Sequence, residues 1–352
     1  MDKKLLERTI KGEGDVPVIA DMTLAGNDYR GANLGGGTFQ NVDFSASNFA
    51  GANLRECNFI DCVFQGSCFD QCDLGLASFI NPRASKSSFK QANLKNSNFI
   101  DGDFTDALFT SASFAATSFI NPNFTRADFQ SLNSENANFI NANFSDANMS
   151  NSIQTRSNFI EPNLSGVIFT KATLNMAIFH KAEFDHYDFS DVILNSCQFQ
   201  GSSLKGAIFS GCDIANCGFM EADLSGASFD RSKANNCLFI KAKLRGSQFK
   251  NAQLEQAMFV EADISRCDFS GSNMEQAQLT KAKCSESIFS RANLTYVDFS
   301  QVQLEDSVIE NAEMYRANLH LVMDEGVIWT GSNKSAALPT DEEKARAQLF
   351  KP

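Results

Sequence analysis

Few residues in this sequence are of types that do chemistry, and three groups deserve the first look. Between His180 and Phe189, the side chains His180, Glu183, Asp185, His186, Tyr187 and Asp188 crowd together. Imidazoles beside carboxylates can ligate a divalent metal or move protons. Ten cysteines form the second group; as thiolates they would bind zinc or act as nucleophiles. The third is Gly35-Gly36-Gly37. A phosphate-cradling loop also needs a Lys-Ser or Lys-Thr and a following helix, and neither is present.

Whether these groups converge depends on the elements that carry them. From Ile19 a large apolar residue returns every fifth position, through Leu24, Tyr29, Leu34, Phe39, Phe44 and Phe49, as far as Met314 and Leu319. Of the 33 phenylalanines only Phe350 is off this register. A second period is nested in the first. Phe59-Ile60, Phe79-Ile80, Phe99-Ile100, Phe119-Ile120, Phe139-Ile140 and Phe159-Ile160 repeat every twenty residues. A period of five fits neither a strand nor a helix. Nested in twenty, it fits a chain that turns a corner every five residues and closes a coil after four, and long fixed periods mean a solenoid.

The slots explain themselves by residue type. The large slot points inward, because burial accounts for so many Phe in an otherwise polar chain. Two places earlier stands a small residue, as at Ala52, Cys57, Ala92, Ala107 and Ala222, which also points inward. The other slots hold Asn, Asp, Ser, Thr, Lys or Gly, types that suit tight corners. On this register His180 takes an outward slot and His186 lies on the next face, so both face water. Cys57, Cys62, Cys72, Cys197, Cys212, Cys217, Cys237 and Cys267 occupy small slots and Cys284 a large one. They read as small hydrophobes. The Gly triplet reads as a crowded corner. No catalytic, cofactor-binding or metal-binding residue is assigned, and no cofactor is expected. Ten reduced structural thiols point to a reducing compartment.

The pattern small, polar, Leu or Phe, polar, polar, as in Ala52-Asn53-Leu54-Arg55-Glu56 and Ala222-Asp223-Leu224-Ser225-Gly226, resembles the pentapeptide-repeat family over residues 19–319. The resemblance implies an all-β fold: a right-handed, four-sided β-helix with backbone bonds between stacked coils. About fifteen coils at the strand spacing would make a rod roughly 70 Å long. The expected organisation is an N-terminal capping helix in 1–14, the β-helix over 15–323, and a C-terminal cap over 324–352. Within that cap, 332–337 reads as a linker. Thr340-Asp341-Glu342-Glu343 forms a capping box for a helix over about 341–349.

Two surface features go beyond the repeat. Slots just after the large residue hold polar types on three faces, whereas the fourth holds Ile60, Ile80, Ile100, Ile120, Ile140 and Ile160, resuming as Met220, Ile240 and Val260. Two readings fit: a lateral docking or self-association stripe, or a structural ladder of β-branched side chains stacked on one another and on Pro82, Pro122 and Pro162. At the other feature, the register fails at Asp324. Leu321, Val322, Met323, Val327, Ile328 and Trp329 should seal the last coil there. Val322, Ile328 and Trp329 are also candidates for end-to-end association into a homodimer, as the resemblance implies for some members. Inside the register, Ser134 and Gln154 replace large residues in one column, and a buried Gln154 needs a partner.

The net charge of −12 argues against direct nucleic-acid binding. No apolar run of eighteen residues or signal peptide is visible, so no membrane span is expected. A cytoplasmic location follows, or export by a dedicated secretion system without a signal peptide, as the resemblance implies for some members. The expected function is a non-catalytic scaffold or adaptor, not an enzyme, that presents a patterned surface to a protein partner. The alternative implied by the resemblance is a DNA mimic that binds DNA gyrase or topoisomerase IV and protects it from quinolones. Residues 34–160 carry 11 acids and 7 bases, and 161–319 carry 20 acids and 14 bases. Lys233, Lys241, Lys243, Arg245 and Lys250 dilute a duplex-like field in the second half.

Overall fold

The computed structural model describes residues 16–349; the capping helix expected before residue 15 lies outside them. The chain divides into two units, 1–182 and 183–352, and each is a parallel β-solenoid. In the first, a strand ladder runs β1 (Val18–Thr23), β2 (Thr38–Asp43), β3 (Asn58–Ile60), β4 (Ser78–Ile80), β5 (Asn98–Ile100), β6 (Ser118–Ile120), β8 (Asn138–Ile140), β10 (Asn158–Ile160) and β12 (Ile178–His180). Each pairing is parallel and offset by twenty, as in Phe59↔Phe79 and Phe139↔Phe159.

Corners follow from one backbone feature. The second residue after nearly every large one adopts a left-handed conformation, as at Asp61 (φ 53°), Asn81 (φ 51°) and Gly51 (φ 68°). Asn and Asp tolerate that region better than most side chains. At a tight corner the geometry is a type II turn: the small residue's N–H returns to the large residue's carbonyl, as from Ala52 to Phe49 at 2.8 Å and from Ala92 to Phe89 at 3.1 Å. The left-handed residue's own N–H reaches the neighbouring coil, as from Gly51 to Asp70 at 2.8 Å. Almost every backbone donor thus bonds within a corner or up and down the stack, which is what burial demands.

The interior is built of rings. Phe59 stacks on Phe79 at 4.7 Å and Phe79 on Phe99 at 4.6 Å, while neighbouring columns meet edge-on, as Phe59 meets Phe64 at 5.2 Å. Offset stacks along the axis and T-shaped contacts across it are the two favoured aromatic geometries. The small slot does more than avoid collision. Ser67 Oγ donates to the Phe44 carbonyl at 2.8 Å, Thr117 Oγ1 to Leu94 at 2.7 Å, and Cys72 Sγ to Phe49 at 2.8 Å. Each reaches 23 residues back, to the large residue of the coil before.

The second unit contains β13 (Ile193–Asn195) and otherwise keeps the twenty-residue offset through single bridged residues, from Glu183↔Ser203 to Asn318↔Leu338. Its ring stacks are equally regular, with Phe209, Phe229 and Phe249 spaced at 4.9 and 4.6 Å. The strand ladder itself stacks nine turns, fewer than the fifteen coils expected, and the rest of the stack is carried by single bridges. Tight corners beyond it leave one residue per side extended, too few to form strands.

Coil geometry also outlasts the register. Met323 and Ile328 still bridge to Gln303 and Val308. Segment 332–340, including the 332–337 stretch expected as a linker, instead caps the exposed edge. Asn333 Oδ1 accepts from the Met314 N–H at 2.6 Å, the Ala336 carbonyl from Arg316 at 2.8 Å, and Thr340 Oγ1 from Leu321 at 3.1 Å. Lys334–Ala336 forms a 3-10 turn and Glu342–Leu349 an α-helix, α1. Buried His320 seats this helix. Its Nδ1 accepts from the Asp341 N–H at 3.2 Å, so its Nε2 donates to Gln348 Oε1 at 3.0 Å.

Candidate protein-docking face

The Ile-bearing corner differs from the tight ones around it. From β3 to β10 the residues before, at and after the large slot are all extended, and the chain bends only at the left-handed residue that follows. An extended residue after Phe favours a β-branched type. The corner lacks the bond from the small residue's N–H, so proline fits there. Pro82, Pro122 and Pro162 occupy that slot, and all are buried. Between Pro82 and Pro122 the same slot holds Gly102, where an added Cβ would lie 3.0 Å from Pro82 Cγ and collide with the Phe104 ring. Gly37, in the Gly triplet, is fixed likewise, by a Cβ position 2.7 Å from the Phe39 ring.

Alternation in a strand sends Phe59 inward and Ile60 outward. In-register pairing then lines up Ile60↔Ile80, Ile80↔Ile100, Ile100↔Ile120, Ile120↔Ile140 and Ile140↔Ile160. Each Ile is half-buried, its flanks covered by the Ile above and below and its tip in water. Gln40 ends the row on one side and His180 on the other.

The borders are polar and one-sided in charge. Along the corner run Asp21, Asn41, Asp61, Asn81, Asp101, Asn121, Asn141 and Glu161, with no base until Lys181. Amides and carboxylates alternate because an in-register stack sets like beside like. Asn81 Nδ2 donates to Asp61 Oδ1 at 2.9 Å, and Asn121 Nδ2 to Asp101 Oδ1 at 2.9 Å. Lys181 closes the row on Glu161 at 2.7 Å and holds that carboxyl below its usual range. On the other border Asn, Ser and Asn alternate, with Asn158 Nδ2 bonded to Asn138 Oδ1 at 2.7 Å.

Met220, Ile240 and Val260 are also half-buried but lie in the second unit, at tight corners such as that closed by Ala242 N–H on Phe239 at 3.1 Å. The structure thus gathers six of the nine stripe residues into one strand ladder. At the C-terminal end, Ile328 is exposed and Val322 half-buried. Trp329 lies under the Lys334 ammonium, 4.1 Å from the ring centroid, and Asp324 holds that Lys at 2.8 Å.

The remaining chemical candidates disperse. Asp185 accepts from Ser203 Oγ at 2.6 Å and from the Lys205 N–H at 3.0 Å; Asp188 accepts from the Ser190 N–H at 2.9 Å; His186 is an exposed left-handed corner. Among the described residues no group of three or more His, Cys, Asp or Glu is placed to hold a metal ion. Burial pushes the Cys57 and Cys72 thiols up to about 12 and Cys237 and Cys284 well up, which disfavours the thiolate. Only Cys68 is half-exposed, and none of the ten is joined in a disulfide.

Ser134 and Gln154 are fully buried and lie on a second wide corner, in β7 (Asn133–Glu135), β9 (Ile153–Thr155) and β11 (Thr173–Asn175). Ser134 Oγ pairs with Ser157 Oγ at 2.9 Å and Gln154 Nε2 reaches Ser152 Oγ at 3.5 Å, but Gln154 Oε1 has no protein partner.

The sequence matches the family model described as Pentapeptide repeat region over 52–133, 132–209 and 247–319, and Pentapeptide repeats over 222–259. No curated protein matches it. Solved structures similar to this chain include HetL, a pentapeptide repeat protein involved in heterocyst differentiation regulation in the cyanobacterium Nostoc sp. strain PCC 7120. It is 18% identical over 71% of this chain and 90% of HetL, with a TM-score of 0.27. A trypsin-treated form of QnrB1, a plasmid-mediated fluoroquinolone resistance protein, is 22% identical over 59% of this chain and 91% of its own, with a TM-score of 0.38. Neither value bears on function. No helix among the described residues is long and apolar enough to cross a membrane. Matched by the family model over more than half its length, the chain belongs to the pentapeptide-repeat family.

Proposed function

We propose that this protein is a non-catalytic scaffold that holds a protein partner along the Ile60–Ile160 face of its first unit. One observation carries the reading: six outward β-branched side chains stand in register on a strand face, each still half-open to water. Covering a further ~40 Å² of each Ile would contribute about 1 kcal/mol apiece. Six such terms lie near the lower end of the ~4–15 kcal/mol that association costs. The polar borders must therefore contribute as well.

The test is the triple variant Ile100→Lys, Ile120→Lys, Ile140→Lys. Its thermal unfolding should match the parent, because the substituted tips face water, while capture of the partner from the producing cell and any self-association through this face are lost. Unchanged capture and solution mass would remove the proposal. Gyrase supercoiling inhibited by micromolar protein, and still inhibited by the triple variant, would favour the DNA-mimic reading instead.

A further inference from the structure

We infer that the occupant of the Ile60–Ile160 face is a basic amphipathic helix, laid along the ladder with its cationic flank over the border that carries Asp61 and Asp101. The inference rests on the docking proposal and adds the partner's chemistry.

Length and pitch come first. Six Ile at the strand spacing of ~4.8 Å span about 24 Å, the length of roughly 16 helical residues. A helix returns a side chain to one face every ~5.4 Å, and a strand every ~6.6–6.8 Å. The helical repeat is nearer the Ile spacing, so an apolar stripe of helix can seat between successive Ile tips. Between β1 and β12 the ladder shows no free strand edge either, since each strand there is bonded to a neighbour on both sides. Adding a strand there has no backbone groups to use.

Charge comes second. The corner border carries exposed carboxylates at Asp61 and Asp101, interspersed only with Asn, before Glu161 and its partner Lys181 end it. Asp61 and Asp101 each use Oδ1 to receive an Asn amide. The opposite border holds only Asn and Ser. A ligand with cations on one flank and neutral polar groups on the other complements both. The first base along the corner, Lys181, coincides with His180 at the end of the apolar row. Apolar row and acidic border thus stop together, as expected of one bounded surface.

The probe is a model peptide of about 18 residues made of Leu and Lys at helical spacing, with the same peptide carrying Glu for Lys as control. Fluorescence anisotropy at physiological salt against the full chain should show micromolar binding of the Lys peptide and none of the Glu peptide. Replacing the border charges in Asp61→Asn, Asp101→Asn should weaken the Lys peptide about tenfold, as two exposed ion pairs would. Removing two carboxylates from other faces, in Asp73→Asn, Asp128→Asn, should change it less than twofold, which separates the face from the overall net charge of −12. The Ile100→Lys, Ile140→Lys variant should abolish binding. Equal binding of both peptides, equal loss in both Asp pairs, or no binding at millimolar peptide overturns the inference. If the Asp61→Asn, Asp101→Asn pair has no effect while the Ile variant still loses its cellular partner, the helix chemistry fails and the docking face stands.

Discussion

The two units solve the same stacking problem differently. Both bury a large apolar side chain in nearly every large slot, with coaxial ring spacings of 4.6 to 4.9 Å at Phe79, Phe99 and Phe119 in one and Phe209, Phe229 and Phe249 in the other. They differ in their corners and in their outer ladders. The first unit opens the Ile-bearing corner into a strand over its whole length, and lines the border with Asp and Asn. The second closes the same corner as a turn, as at Ala222 on Phe219 at 3.2 Å, and lines it with Glu221, Lys241, Glu261 and Lys281. Parallel stacking sets each side chain beside its equivalent, so like charges must be diluted or alternated. Amides dilute in one unit; opposite charges alternate in the other, as where Lys241 meets Glu261 at 3.9 Å. The lesson is that the core fixes the coil, whereas the corner type fixes which surface the coil presents.

That comparison can be broken first at the core. Phe109, stacked on Phe89 and Phe129 at 4.9 and 5.0 Å, and Phe229 should each cost ~3–5 kcal/mol on change to Ala. Urea unfolding that shows one unit far more tolerant than the other would end the claim of a common core. Corner type is sharpened by proline. Ala92→Pro removes the bond to Phe89 and should cost ~3 kcal/mol or more, while Ala142→Pro, in the column of Pro122 and Pro162, should cost under ~1 kcal/mol. Similar losses at both would show that the wide corner is not special. A smaller gain is expected where the first unit's core is imperfect. Gln154→Leu removes a buried oxygen without a protein partner and should stabilise by ~1–2 kcal/mol, read in the same unfolding curves; destabilisation would mean the amide is satisfied. The smallest effect concerns the outer ladder. Lys241→Glu sets three acids in a row from 221 to 261, and should lower Tm by about 1 °C at low salt and not at all in 1 M salt. A salt-independent loss would show that Lys241 contributes through packing, not charge.

How much of this was legible beforehand differs by slot. Every large and small slot named from the register as inward is buried from Ile19 to Met314, and only the last, Leu319, is half-buried. The Phe-Ile-Asn-Pro segments at 79–82 and 119–122 also carried a signal that periodicity alone does not use: proline in the small slot means no N–H for a closing bond, hence a wide corner. The seal at 332–340 was hidden, because it works through backbone edges and the side chains of Asn333 and Thr340, not through an apolar pattern. The role of His320 is hidden for a similar reason, since a lone imidazole in an outward slot gives no hint of the helix that covers it.

By itself the sequence determined the twenty-residue coil and its core, because a five-residue period in side-chain size permits only one way to bury so many rings. Only the tertiary structure decided which corners open, where hydroxyls and thiols reach 23 residues back to a carbonyl, and which Ile share one flat face. Those depend on what the neighbouring coil places within about 5 Å, and a neighbour twenty residues away is invisible to any local pattern.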